Sequence, residues 1–149
     1  MNVQPWTEEH TRDALGWHYE APYDFYDFSA DPSDVKQLHE QPELYRAILA
    51  PDSSLSGFWF FVHRDHEVIV GLGLRPELTG RGLGAQFFDD ALDYARAEWS
   101  PKRFRLWVAA WNERAIRVYE RRGFREVGRE QWHFELLGDH EFVEMERDA

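Results

Sequence analysis

The 149-residue sequence contains no cysteine. This excludes a disulfide framework, a thiolate nucleophile and a Cys-based zinc site together, and it fits a reducing compartment. No run of about 18 apolar residues is present to span a bilayer. The start, Met1-Asn2-Val3-Gln4-Pro5-Trp6, lacks the basic region and apolar stretch of a secretory leader, so a cytoplasmic location is expected. Positive charge is scarce as well: 17 Lys and Arg stand against 28 Asp and Glu. An acidic surface repels a phosphate backbone, so neither nucleic acid nor a membrane is expected as a partner. Repeats, low-complexity stretches and Ser/Gly-rich linkers are also missing. With 43% hydrophobic residues at this length, one domain over residues 1–149 is expected.

The charge that is present is unevenly distributed. Residues 1–74 carry 4 basic against 13 acidic side chains, residues 75–125 carry 11 against 7, and residues 126–149 carry 2 against 8. A basic centre between acidic flanks suits an anionic cofactor at the middle of the chain and a cationic substrate elsewhere, because summed fields steer charged ligands. Simple solubility explains the acidic ends equally well.

Patterning gives the elements. Thr7 predicts an N-cap for a helix running towards His18. Residues 17–28 hold Trp17, Tyr19, Tyr23, Phe25, Tyr26 and Phe28 around Pro22, which predicts an aromatic loop. Ser33 predicts the cap of a second short helix ending near Glu40. Tyr45 to Leu49 and Leu55 to Val62 read as strands, and Val68 to Leu74 as a central one. The ladder Leu83, Phe87, Ala91, Ala95, Trp99 lays one apolar stripe along a helix that starts near Gly82 and ends at Ser100-Pro101. Phe104 to Val108 alternates as a strand. Glu113 to Arg122 reads as a helix with Gly123 at its C-terminal cap. The strands Val127 to Leu136 and Phe142 to Arg147 follow, joined through Gly138-Asp139. A strand-helix-strand unit among other strands predicts an α/β or α+β layered domain.

Chemistry concentrates between Leu74 and the following helix. In Thr79-Gly80-Arg81-Gly82-Leu83-Gly84, three alternate glycines let a ligand approach the backbone, and the N–H groups of the helix start point at it. This is an anion site. The Gly-Lys-Ser/Thr ending of a nucleotide-phosphate loop is absent, and the spacing also fails the dinucleotide pattern. About thirty residues on comes Asn112-Glu113-Arg114-Ala115-Ile116-Arg117-Val118-Tyr119-Glu120-Arg121-Arg122-Gly123-Phe124.

These two segments resemble the paired signatures of the GNAT N-acetyltransferase superfamily. The first of those signatures is Gln or Arg, two residues, Gly, one residue, Gly or Ala; the second runs Asn, Ala, Tyr, Gly-Phe. Gly82 and Gly84 fill the two glycine positions, and Thr79 stands where Gln or Arg is usual. Trp17-x-Tyr19-x-x-Pro22-Tyr23, together with residues 71–80, is similar to a bacterial subgroup of that superfamily. The resemblance implies a mixed, mostly antiparallel sheet of six to seven strands flanked by about four helices. The strands ending near Leu74 and Val108 would be splayed, so that the pantetheine arm of acetyl-CoA lies between them.

The resemblance also implies site residues. Acetyl-CoA, a cosubstrate, would contact Leu72 and Leu74, the turn Thr79, Gly80, Arg81, Gly82, Leu83 and Gly84, and Asn112 and Ala115. A backbone N–H near Leu74 would polarise the thioester carbonyl. Tyr119 would protonate the departing thiolate, a role a phenol suits because it is protonated at neutral pH; packing beneath the Gly123-Phe124 turn is the other reading of this residue. Trp17, Tyr19, Tyr23 and Tyr26 would line the pocket for an amine acceptor, since rings beside carboxylates suit a cationic amine, while for Trp17 a helix-packing role is open too. Arg114, Arg117 and Arg121 form one edge of their helix and either meet the phosphates or pair with Glu113 and Glu120. The general base is not named: Glu67 points to the wrong face, and Glu20, Asp24 and Asp27 are open choices, acting directly or through water. His63 and His66 lie three apart with no third ligand, so no metal is expected. A homodimer is compatible with the resemblance. The expected activity is transfer of an acetyl group to a primary amine of a small molecule or a peptide N-terminus; the alternative is a non-catalytic acyl-CoA sensor or interaction subunit.

Overall fold

The computed structural model describes residues 2–149, and its elements follow the order strand, two helices, three strands, helix, strand, helix, two strands. They are β1 (Asn2–Pro5), α1 (Glu8–Leu15), α2 (Pro32–Glu40), β2 (Tyr45–Leu49), β3 (Leu55–Arg64), β4 (Glu67–Leu74), α3 (Gly84–Trp99), β5 (Arg103–Ala109), α4 (Glu113–Arg121), β6 (Arg125–Phe134) and β7 (Gly138–Asp148). The seven strands are hydrogen-bonded in the order β1-β2-β3-β4-β5-β7-β6. The pairings β1–β2, β2–β3, β5–β7 and β7–β6 are antiparallel, and β4–β5 is parallel through Glu67–Arg103, Val68–Phe104 and Ile69–Arg105. This is the mixed, mostly antiparallel sheet with four α-helices that the resemblance implies.

The chain groups into two compact units: Met1–Phe60 with Leu72–Gly84 and Glu135–Leu137, and Phe61–Gly71 with Ala85–Phe134 and Gly138–Ala149. In the first, β1 is an addition to the expected elements. It pairs with β2 from Asn2 opposite Leu49 to Pro5 opposite Arg46. An edge strand this short and exposed shows no apolar alternation, and its Pro is compatible with an edge. Thr7 caps α1 as expected: its hydroxyl accepts from the His10 amide at 3.3 Å, and its own amide donates to His10 Nδ1 at 3.0 Å. For α2 the cap is Asp31 rather than Ser33. The Asp31 carboxylate accepts from the Ser33 amide at 3.0 Å, and Pro32 takes the first helical position, where a missing N–H costs nothing. Trp6, Ala14, Trp17, Phe28, Leu38, Tyr45, Ala47 and Leu55 form the core of this unit. The ring of Phe58 meets those of Trp6, Phe28 and Tyr45 at 6.2, 5.1 and 6.1 Å between centroids.

Helix α3 begins at Gly84, the last residue of the first unit's second segment, and not at Gly82. Gly80 and Gly82 have φ of +72° and +73°, which no right-handed helix accommodates. Leu83 is therefore outside the helix and 44% exposed, and the buried stripe starts at Phe87 and continues through Ala91 and Ala95. In β5 of the second unit, Phe104, Leu106 and Val108 are buried and alternate with Arg105 and Trp107 on the opposite face. Arg105 ties three strands together: Nε donates to Glu67 at 2.8 Å, Nη1 to Glu144 at 2.8 Å and Nη2 to Glu146 at 2.9 Å. Gly123 follows α4 at φ +85°, where the amides of Gly123 and Phe124 close on the carbonyls of Glu120 and Tyr119. Strand β7 begins earlier than expected, at Gly138 with φ +77°. Its start, Asp139-His140-Glu141, is polar, so pairing with β6 extends where hydrophobic alternation does not.

Two outcomes follow from this packing. A Cβ added to Gly73 would clash with the Cε1–Cζ edge of the Phe58 ring, which its aromatic neighbours hold in place. Gly73→Ala should therefore lower stability by about 1–3 kcal/mol in a denaturant titration, and Phe58→Leu in the same chain should recover part of the loss. Asp34, in the first turn of α2, is pushed up to about 6 by burial and by the neighbouring Asp31. Its folded-state value lies above the ordinary carboxylate range, so this carboxyl favours the folded state at low pH. That contribution disappears as pH rises through about 6. Thermal melts should show Asp34→Asn gaining on the parent between about pH 4 and pH 7; a constant difference would contradict the shift.

Candidate active site

The glycine-rich turn is exposed from Thr79 to Gly84. Among the described residues, the amides of Gly80, Arg81, Gly82 and Leu83 meet no carbonyl or side-chain acceptor. Nothing lies within 4 Å of where a Cβ would stand on Gly80, Gly82 or Gly84. Open space above bare amides, followed directly by a 16-residue helix, is an arrangement that suits a phosphate group. Thr79 takes no part through its hydroxyl, which donates to the Pro76 carbonyl at 2.6 Å and closes the 3-10 turn Pro76–Leu78.

Ahead of that turn, the end of β4 is tightly held. The Arg75 amide donates to the Ser56 carbonyl at 2.8 Å, and its guanidinium donates through Nε to the Leu55 carbonyl at 2.7 Å. Nη2 donates to Asp13 of α1, and the guanidinium stands 5.2 Å from the centre of the Trp17 ring. The other Asp13 oxygen accepts from Trp17 Nε1 at 3.0 Å. Arg75 and Asp13 were not singled out from sequence. They lie 62 residues apart, and no local pattern connects them.

The aromatic loop folds as two 3-10 turns, Tyr23–Tyr26 and Phe28–Ala30. The structure separates its rings. Trp17 is 4% exposed and belongs to the core, whereas Tyr26 is 37% exposed. Tyr23 is half-buried, and Tyr26 meets Phe25 edge-on at 5.3 Å. Tyr19 is half-buried, and its hydroxyl donates to the Leu74 carbonyl at 2.7 Å. Burial first, then the charges of Asp27 and Glu77, push its phenol well above the ordinary range. Asp27 is itself buried: Oδ1 accepts from the Tyr19 amide at 2.9 Å and Oδ2 lies 3.0 Å from His18 Nδ1.

Of the other carboxylates considered for proton removal, Glu67 is bound to Arg105, and Glu20 and Asp24 are exposed. Among the described residues, no group of three or more His, Asp or Glu side chains is arranged to hold a metal. Among the described residues, no helix is long and apolar enough to cross a membrane.

In the second unit, Asn112 is 8% exposed and caps α4, with Oδ1 accepting from the Ala115 amide at 3.2 Å. These two expected cofactor contacts are thus joined to each other, and the Glu113 amide at the helix start donates to the Trp111 carbonyl at 2.9 Å. The Tyr119 ring packs at 4.9 Å from Phe88 and 6.3 Å from Phe124, so its body is held in an aromatic trio. Arg117 lies 3.8 Å from Glu113 on the exposed face of α4, and Arg114 and Arg121 are exposed as well. Arg122, by contrast, binds both oxygens of Asp89 at 2.7 and 3.2 Å and joins α4 to α3.

Comparison with known proteins bears on the fold and the family. The chain is 26% identical over 137 residues to the spermidine N(1)-acetyltransferase of Vibrio cholerae, a match covering 89% of this chain and 78% of the relative. It is 37% identical over 76 residues to the mycothiol acetyltransferase of Streptomyces coelicolor, spanning about a quarter of that protein (24%). The crystal structure of the V. cholerae spermidine N-acetyltransferase in complex with CoA and spermine shares the fold. Its TM-score is 0.69 at 19% identity, covering 99% of this chain and 94% of that one. The profile of the acetyltransferase (GNAT) family matches residues 5–124, and the chain belongs to that family.

Proposed function

We propose that this acetyltransferase moves the acetyl group of acetyl-CoA to a primary amine by direct attack of the amine on the thioester, acting as one domain in the cytoplasm. The observation that carries the reading is the turn Gly80–Gly84, whose amides are unengaged, whose backbone is open to approach, and which runs straight into α3. There the residues present fit a pyrophosphate. Leu72 and Leu74 offer backbone groups to the pantetheine arm, and Asn112 and Ala115 set the start of α4 for the same cosubstrate. An amide near Leu74 stabilises charge developing on the carbonyl oxygen, and Tyr119 gives its proton to the departing sulfur.

The acceptor is a cationic amine, and a polyamine is the first to test. Two observations support this choice: residues 1–74 carry 13 acidic against 4 basic side chains, and the V. cholerae relative is named a spermidine N(1)-acetyltransferase. Tyr23 and Tyr26, with Asp24 between them, give the loop both rings and a carboxylate suited to a cation.

Protein, acetyl-CoA and a panel of amines, with free thiol as readout, should give amine-dependent thiol release that is strongest for polyamines. CoA binding without release for any amine would instead mark a sensor. Tyr119→Phe should lower kcat about 10- to 100-fold with little change in CoA affinity; full activity would remove the proposed proton donor. At Gly82, Ala carries a left-handed backbone at a cost of roughly 1–2 kcal/mol, so calorimetry should show CoA binding about tenfold weaker. Asn enters that backbone region more easily and should recover much of the loss. Unchanged affinity in both variants would sink the phosphate cradle.

A further inference from the structure

Leu74 is the last residue of β4, and the peptide plane joining it to Arg75 has both of its polar groups engaged. Its carbonyl accepts from the Tyr19 hydroxyl at 2.7 Å, and its N–H donates to the Ser56 carbonyl at 2.8 Å. In extended backbone the N–H and C=O of one residue point to the same side of the strand. The Leu74 amide therefore faces the side from which Tyr19 reaches, away from the side on which Arg75 meets β3. Tyr19 is in turn fixed from behind. Its own amide is held by the buried Asp27 at 2.9 Å, and Asp27 also holds His18 at 3.0 Å. The phenol stays protonated, since burial and nearby carboxylates raise its pKa, and its proton is donated to the Leu74 carbonyl.

We infer that Tyr19 is a positioning residue and not part of the acceptor pocket wall: by occupying the Leu74 carbonyl it orients the end of β4, where the neighbouring amide is to polarise the thioester. Asp27 holds Tyr19 at its backbone, so the loop and the strand end move as one piece. The inference deepens the proposed function and rests on it for the role of the Leu74 amide. The latch itself is a structural statement that stands without it.

Tyr19→Phe removes one oxygen and keeps the ring. The expected result is a kcat lower by about tenfold or more, with the KM for acetyl-CoA and for the amine within about threefold and the shape of the pH profile preserved. A raised amine KM at unchanged kcat would overturn the inference in favour of acceptor binding, and loss of one limb of the pH profile would overturn it in favour of proton transfer. Hydrogen exchange supplies a readout independent of activity. The Arg75 amide, in the plane that Tyr19 fixes, should exchange about tenfold faster or more in Tyr19→Phe, and Asp27→Asn should shift it in the same direction. Unaltered exchange in both variants would overturn the latch. Altered exchange together with no thiol release from the wild-type protein would uphold the latch and reject the proposed chemistry.

Discussion

The position of the peptide plane between Leu74 and Arg75 governs much of the first unit. Ser56 and Leu55 of β3 and Asp13 of α1 are all bonded to Arg75, Trp17 lies beneath its guanidinium, and Tyr19 closes on the preceding carbonyl. Each of these bonds is worth little alone, since an exchange of water for a protein partner nets about 1 kcal/mol. Their strength lies in convergence, because ordering one group orders the others. A strand end held in this way has little freedom to twist, which is the condition under which a backbone dipole can be pre-set towards developing charge.

Charge is arranged on the same logic of commitment. In the second unit, three glutamates meet one guanidinium at Arg105, across the registers that pair Ile69 with Arg105 and Arg105 with Glu146. Glu67 is consumed by that contact and Asp27 by the loop, so neither is a ready base. The glycine turn shows the converse: its backbone donors have no internal partner, and a helix start without an acidic residue in its first turn leaves an incoming anion unopposed.

How much of this could be read from the chain alone depends on the range of the interactions. Local signals carried well. Thr7 capped α1, the ladder Phe87, Ala91, Ala95 made α3, Gly123 ended α4, and the paired glycine and Asn-to-Phe signatures identified the family. Errors arose where two local signals competed or where none existed. Asp31 displaced Ser33 because Asp31-Pro32 is the stronger start, and two left-handed glycines delayed α3 and put Leu83 outside it. The polar edge strand β1 and the polar beginning of β7 have no hydrophobic period to read. In the site, the glycine turn was visible as composition, but the contacts of Tyr19 with Leu74 and of Asp13 with Arg75 span 55 and 62 residues and follow only from the fold.

The loop between α1 and α2 is fastened near its two ends and lightly covered in the middle. Trp17 and Tyr19 secure one end, Asp27 and Phe28 the other, while Glu20, Ala21, Pro22, Asp24 and Tyr26 face outward. Side chains in that middle segment can be exchanged with little effect on the core or on the strand it anchors. Under the proposed function, acceptor preference could therefore change through the outward-facing side chains without disturbing the strand end, since the exposed residues of the loop and the residues that bear structure are different residues.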